Sequence, residues 1–406
     1  MATVAISYHP MFFDLNGEFV SSISAFIALL MISIVATMLP DTRLIFKSKV
    51  LRIYFICLLC IFTWLCLLTG LGTNISMNEI RSLLISFVCL CIGYIGNFSD
   101  TQINILACVY LVCILIAGYL QITTNIGSFE IEDTYLVQAK NALGPMIACA
   151  ILVGLHYVLK PGNLIIRLMM VALVLVGVVE ILTIRARLAT LACFAVIIFM
   201  LILYIRRQKS KVGVLSILFV VVCVCLVCLF NETVSDYVIK SFTQNREDNM
   251  LSSRGDGYGQ ALQVLSESPL WGNLFINRDI EWVHNYLLLK LSSFGVFGCI
   301  PWVCLYLYLS YTIFILLRKV DITNIQHLGL TLILVPFIVS LGEPMAPYGP
   351  GTAVFVPFLL YGATLNKINN EKYIYIIEYG FYNHKSIVTD HTVAASFFFN
   401  FLRSKR

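Results

Sequence analysis

Long apolar runs, separated by short polar connectors, make up most of the chain. A helix needs about 20 apolar residues to cross the hydrocarbon core of a bilayer, and a run as continuous as Val214–Phe230 is typical of helices rather than of alternating barrel strands. Such runs occur at 19–39, 53–73, 82–98, 103–121, 143–159, 164–183, 188–205, 213–230, 286–317, 329–346 and 349–365. The pattern predicts an all-α, polytopic membrane protein of about 11–12 transmembrane helices.

These runs divide the chain into four parts. We predict N-terminal transmembrane helices over 1–231, one large periplasmic loop over 232–283, C-terminal transmembrane helices over 284–365 and a cytoplasmic tail over 366–406. The run 286–317 is too long for one straight crossing. We expect it to bend, or to divide into a half-helix and a full helix, at Gly295, Gly298 or Pro301.

The orientation follows from Lys and Arg, which accumulate in cytoplasmic loops. Basic residues cluster at 40–52, at 206–211 and at Arg318–Lys319. Taken as ends of successive crossings, these segments fall on one side of the membrane. We therefore expect the N-terminus, the segment 122–142 and the large loop on the opposite, extracytoplasmic side.

The composition agrees with a membrane protein. Charged residues make up 12% of the chain, against about 25% in soluble domains. The net charge of +5 follows from the basic loops and does not indicate nucleic-acid binding. Most of the 14 cysteines lie inside apolar runs without His or Asp beside them, so we interpret them as small hydrophobic residues rather than as metal ligands.

Two arginines, Arg185 and Arg187, lie between two apolar runs at the expected outer face. This placement runs against the bias of basic residues toward the cytoplasm. One interpretation is that both side chains extend to lipid headgroups. The other is an anion site, because the planar guanidinium matches the geometry of phosphate.

Two carboxylates, Glu180 and Glu343, lie inside apolar runs, where charged residues are costly and often functional. Glu180 is two helical turns before Arg187, and we expect it on the same helical face, where it would orient that arginine. Glu343 precedes Pro344, which we expect to end its helix. A structural salt bridge is the alternative for each carboxylate.

The large loop contains an amphipathic segment from Tyr258 to Glu267, which we expect to lie along the membrane as a cap. Its apolar face is predicted from Ala261, Leu262, Val264 and Leu265. Arg254 would lie at the start of this helix, where the N-terminus favours anions. A solvated loop arginine is the alternative.

His284 stands where the loop enters the next apolar run. A lone histidine is often only a packed polar residue. It also titrates near neutral pH and is able to take a proton from a sugar hydroxyl. The sequence leaves both interpretations open.

Several of these residues together resemble the O-antigen polymerase and O-antigen ligase superfamily. The shared pattern comprises Arg254, Pro269, Trp271-Gly272, His284-Asn285 and, after nine further residues, Gly295-x-x-Gly298. Arg185-Ala186-Arg187 resembles the family's first arginine motif, and Lys140-Asn141-Ala142-Leu143-Gly144 resembles a stretch ahead of its mid-chain helix. The resemblance covers about residues 135–345.

The resemblance implies a metal-independent glycosyltransferase without a cofactor, in the bacterial inner membrane, with its site facing the periplasm. Arg187 and Arg254, with Arg185 as the competitor for the first motif, would bind the pyrophosphate of an undecaprenyl-linked oligosaccharide. His284 would deprotonate or orient the acceptor hydroxyl. Supporting roles would fall to Glu180, Asn285, Glu343, Lys140 and Asn141.

Three functions follow as hypotheses. A polymerase would add the glycan to another lipid-linked repeat unit, and a chain-length regulator would then be a further partner. A ligase would add it to the lipid A core. A transporter or flippase would use Glu180, Glu343 and Arg187 as a translocation path. We favour the polymerase, because of the Lys140–Gly144 stretch and because nothing in the sequence is particular to binding the lipid A core.

Overall fold

The described part of the chain is built of α-helices. A computed structural model describes residues 47–70, 78–125, 134–160, 162–184, 186–207, 252–276, 278, 283–320, 324–349 and 351–370. No strand occurs within these ranges. The predicted runs at 19–39 and 213–230, and the tail beyond 370, lie outside them.

The helices are numbered here in chain order through the described ranges. The first six are α1 (Lys49–Gly70), α2 (Asn78–Ile95), α3 (Asp100–Asn125), α4 (Thr134–Leu159), α5 (Leu164–Thr183) and α6 (Arg187–Arg207). They are followed by α7 (Ser252–Glu267), α8 (Tyr286–Lys319), α9 (Ile325–Val339) and α10 (residues 355–370). Short 3₁₀ turns occur at Gly272–Leu274 and Gly351–Val354.

Six of these helices are long and apolar enough to cross a membrane, namely α1, α3, α4, α5, α6 and α8. The segments Ile80–Ile95 and Ile325–Val339 are shorter apolar helices. The prediction of an all-α, polytopic membrane protein is therefore confirmed.

Helix α4 is the centre of the bundle. In its most apolar 18-residue window 94% of the residues are buried, against 22–44% in the other five long helices. It packs against α3, α5, α6 and α9. Its neighbours therefore present their exposed apolar faces outward, where lipid replaces water as the solvent.

Helix α8 is broken at Gly295, which has φ 67° and ψ −176°. An unbroken helix of its 34 residues would be about 51 Å long, well beyond the roughly 30 Å hydrocarbon core. The expectation that this run divides is confirmed, and the break falls at the first of the three predicted residues. Pro301 lies within the second part of the helix.

The segment Pro269–Gly272 of the large loop fits into this break. The N–H of Val296 donates to the carbonyl of Pro269 at 3.0 Å, and the N–H of Phe297 donates to that of Leu270 at 3.3 Å. Two donors that a straight helix would satisfy internally are thus satisfied by the loop. Main-chain hydrogen bonds therefore join the loop to a membrane helix.

At the end of the bundle opposite the break in α8, polar contacts join the α2–α3 turn to α10. Lys367 forms an ion pair with Asp100, and the amide of Asn366 donates to Asn97 at 3.4 Å. Helix α10 extends to residue 370, five residues beyond the predicted run. Lys367 was predicted in the tail, and the structure places it in this helix.

Gly295→Ala is expected to destabilise the protein. A Cβ at this position would collide with the backbone of Leu270 and Trp271, and a positive φ costs an L-residue about 1–3 kcal/mol. Thermal unfolding of the detergent-solubilised protein should show a clear loss of stability. Gly259→Ala is the matched control, because a Cβ there meets nothing within 4 Å. An unchanged melting temperature for Gly295→Ala would contradict the role of the break.

Candidate functional site

Arg187 is the first residue of α6 and lies beside the loop 340–349. A Cβ added to Gly342 would be 2.9 Å from Leu188 Cδ2, so this loop closes tightly onto the first turn of α6. Arg187 and Glu343 are the sequence neighbours of these two residues, and both are half-buried. The contact therefore brings a cationic and an anionic residue onto adjoining segments.

Asn285 joins the start of α8 to the same loop. Its side-chain oxygen accepts a hydrogen bond from the N–H of Leu288 at 2.9 Å and so caps the helix. Its amide nitrogen donates to the carbonyl of Leu341 at 3.1 Å, and the N–H of Tyr286 donates to that of Ser340 at 3.0 Å. The loop 340–343 thus contacts both α6 and α8.

His284, half-buried just before α8, is held from the other side by α7. The hydroxyl of Tyr258 donates to the main-chain carbonyl of His284 at 2.8 Å. This bond fixes the backbone that presents the imidazole. It also holds α7 against the start of α8.

Arg254 lies in the first turn of α7, four residues before Tyr258. The helix begins at Ser252, six residues earlier than predicted, and Pro269 follows its end. Of the predicted apolar face, Ala261 and Val264 are buried in the protein, whereas Leu262 is exposed.

The stretch Lys140–Gly144 lies inside α4 rather than ahead of it. A Cβ on Gly144 would be 2.5 Å from that of Ala186, so this stretch packs against the residue between the two candidate arginines. Asn141 is half-buried near that contact. Arg185 lies outside the described residues.

Glu180 is near the end of α5 and does not share a helical face with Arg187. The chain leaves helical geometry after Thr183, and Arg187 begins a separate helix, so the expectation of one continuous face is wrong. The Glu180 carboxylate packs on Gly118 of α3. Among the described residues it has no hydrogen-bond partner.

Glu343 also differs from its predicted setting. Helix α9 ends at Val339, five residues before Pro344, and Ser340 is its cap. Glu343 therefore lies in a loop at the end of the bundle and not within an apolar helix. A half-buried loop position is a less costly place for a carboxylate than the interior of a membrane.

Lys290 is a charged residue that the sequence analysis missed. It lies one turn after Tyr286 in the first part of α8, is only 2% exposed, and its Nζ is 5.3 Å from the Tyr286 ring centroid. A lone lysine within an apolar run is the signal that would have found it. The Tyr286 ring that it contacts belongs to the residue after the helix cap Asn285.

Tyr286, whose ring contacts this buried lysine, packs against two further tyrosines. The Tyr286 ring lies 6.2 Å from that of Tyr306 and 5.6 Å from that of Tyr348. The hydroxyls of Tyr306 and Ser340 share a hydrogen bond of 2.9 Å. Burial, together with the nearby Tyr306, raises the pKa of the Tyr348 phenol well above its ordinary value, so this phenol stays neutral.

One end of the bundle thus collects Asn141, Arg187, His284, Asn285 and Glu343. The helices α6 and α8 also begin here, and helix N-termini favour anions. The arrangement is suited to holding a negatively charged group beside a histidine that is able to transfer a proton. Glu180 is left out of these contacts, whereas Arg185 and the side chains of Lys140 and Arg254 lie outside the described part of the chain.

Tyr258→Phe is expected to lower the stability of the protein by about 0.5–1.5 kcal/mol, because one partly buried hydrogen bond is lost. The melting temperature of the detergent-solubilised protein is the measurement. Tyr119→Phe is the control, because Tyr119 is 62% exposed on α3. Equal melting temperatures of the Tyr258→Phe and Tyr119→Phe variants would contradict a stabilising role of the hydrogen bond to His284.

No model of a known protein family matches the chain, and no curated protein sequence matches it. The resemblance to the O-antigen polymerase and ligase superfamily therefore stays a prediction, supported by the motif residues themselves.

Proposed function

We propose that the protein is an O-antigen polymerase of the bacterial inner membrane. It would transfer a glycan from an undecaprenyl-pyrophosphate carrier to the acceptor sugar of another lipid-linked repeat unit at the periplasmic face. The observation on which the proposal depends is that the loop 340–343 contacts both the start of α6, next to Arg187, and the start of α8, next to His284.

The proposed reaction replaces one bond to the anomeric carbon by another. The acceptor hydroxyl oxygen attacks this carbon, and the bond from the carbon to the phosphate oxygen breaks. The electron pair of that bond leaves with the undecaprenyl pyrophosphate. His284 takes the proton of the attacking hydroxyl, as a general base of suitable pKa does near neutral pH.

The leaving pyrophosphate gains negative charge, and cations already in position stabilise it most effectively. Arg187 fits this role because it begins a helix whose N-terminus also favours anions. Arg254 occupies the comparable position in the first turn of α7, which is bonded to His284 through Tyr258. Arginines are able to neutralise the leaving group without a metal ion.

Glu343 and Asn285 would orient the reacting groups. Asn285 fixes the start of α8 through its two hydrogen bonds. Glu343 lies on the segment that adjoins the start of α6, and it would restrict the rotation of Arg187. Glu180 has no direct part in this proposal, because its carboxylate lies against α3.

Arg187→Lys is expected to lower activity by about 10²-fold while the protein still reaches the membrane. Lysine keeps the charge but loses the planar, bidentate donor geometry. Arg185→Lys should have the smaller effect. Polymer formation by both variants, at matched protein levels, is the measurement. The reverse order would assign the role to Arg185.

His284→Ala is expected to lower polymer formation by about 10²–10⁴-fold, the usual contribution of a general base. Binding of the lipid-linked donor should survive, because the arginines hold the pyrophosphate. A lipopolysaccharide blot of cells that make only this variant should show a single repeat unit on the lipid A core. Normal long-chain ladders from a stable variant would eliminate the base role.

The same blot separates polymerase from ligase. Loss of a ligase would instead leave bare core, with finished polymer retained on its carrier. That outcome would keep the chemistry proposed for His284 and change the acceptor.

A further inference from the structure

Four large apolar side chains meet where the large loop enters the break in α8. We call them the aromatic patch: Leu270, Trp271, Phe275 and Phe297. The Trp271 ring lies 5.8 Å from that of Phe275 and 6.0 Å from that of Phe297. Trp64 of α1 stacks on Trp271 at 6.2 Å.

The patch is exposed although it is apolar. Phe275 is 63% exposed, Phe297 54%, Leu270 47% and Trp271 40%. Three of these residues belong to the loop and not to a membrane helix, so ordinary lipid contact of a spanning segment does not account for them. Exposed apolar patches of this kind mark an interaction surface.

The position of the patch along α8 indicates its depth in the membrane. The 24 residues from Val296 to Lys319 follow the break and form a helix of about 36 Å. This part alone spans the roughly 30 Å hydrocarbon core, with Arg318 and Lys319 at its far end. Val296 and Phe297 then lie at the opposite boundary of the core, and the loop residues bonded to them lie at the same level.

We propose that the aromatic patch is inserted in the bilayer interface and contacts lipid acyl chains there. Val296 and Phe297 are exposed on the second part of α8, and Trp271 of the loop packs beside Phe297. Tryptophan favours this boundary, where its ring is apolar and its N–H reaches polar groups. The loop is then anchored in the membrane as well as bonded to α8.

This anchor has a consequence for the site. The patch follows α7 directly in the chain, and α7 holds the backbone of His284 through Tyr258. Lipid contact at the patch therefore fixes the cover above the site relative to the membrane surface. The inference goes beyond the proposed reaction and does not depend on it.

Tryptophan fluorescence of the full-length protein in phospholipid vesicles tests the proposal. Phe275→Trp places a reporter in the patch, where an exposed aromatic side chain is already present. Gln263→Trp is the matched control, because Gln263 is exposed on α7 and its side chain donates to Glu267 of the same helix. The 4 native tryptophans are common to both variants, so each is compared with the unmodified protein.

The added emission of Phe275→Trp should be quenched by lipids brominated at shallow acyl positions and be protected from aqueous acrylamide. The added emission of Gln263→Trp should be quenched by aqueous acrylamide and not by brominated lipid. Strong acrylamide quenching of both variants, without quenching by brominated lipid, would overturn the proposal and place the patch in water, as a surface for glycan or protein. Thermal stability of the two variants confirms that both are folded.

Discussion

The break in α8 depends on one physical constraint, the need to satisfy the main-chain N–H groups of a membrane helix. An unpaired peptide group in hydrocarbon costs several kcal/mol. At Gly295 the helix loses its internal partners for Val296 and Phe297, and the carbonyls of Pro269 and Leu270 take their place. The large loop therefore completes the hydrogen bonding of a membrane helix.

The position of the proposed site follows from this exchange. Because Pro269 directly follows α7, the same contact brings α7 over the start of α8, where Tyr258 bonds to His284. The loop 340–343 closes the other side through Asn285 and Gly342. The result is a fixed histidine beside two helix N-termini, with α4 as the buried centre against which the membrane helices pack.

Some of the motif residues have structural roles in the packing around α8, and others are the proposed reactive residues. Gly295 admits the loop backbone, and Gly298 approaches Trp64, since a Cβ there would be 2.8 Å from the indole nitrogen. Asn285 acts as a helix cap and as a tether. Arg187 and His284 are half-buried beside these structural residues. A spacing that suggests a catalytic signature is thus explained in part by packing.

The sequence by itself determined the helical class and the membrane setting, because apolar runs of bilayer length have few other stable structures. It also placed the division of α8 within a few residues, since glycine tolerates positive φ. Only the tertiary structure decided which segments meet. The Glu180 carboxylate packs against Gly118, Glu343 lies in a loop beyond the end of α9, and Lys290 contacts the ring of Tyr286. Helix ends and side-chain partners depend on neighbours far away in the chain, and local periodicity does not encode those neighbours.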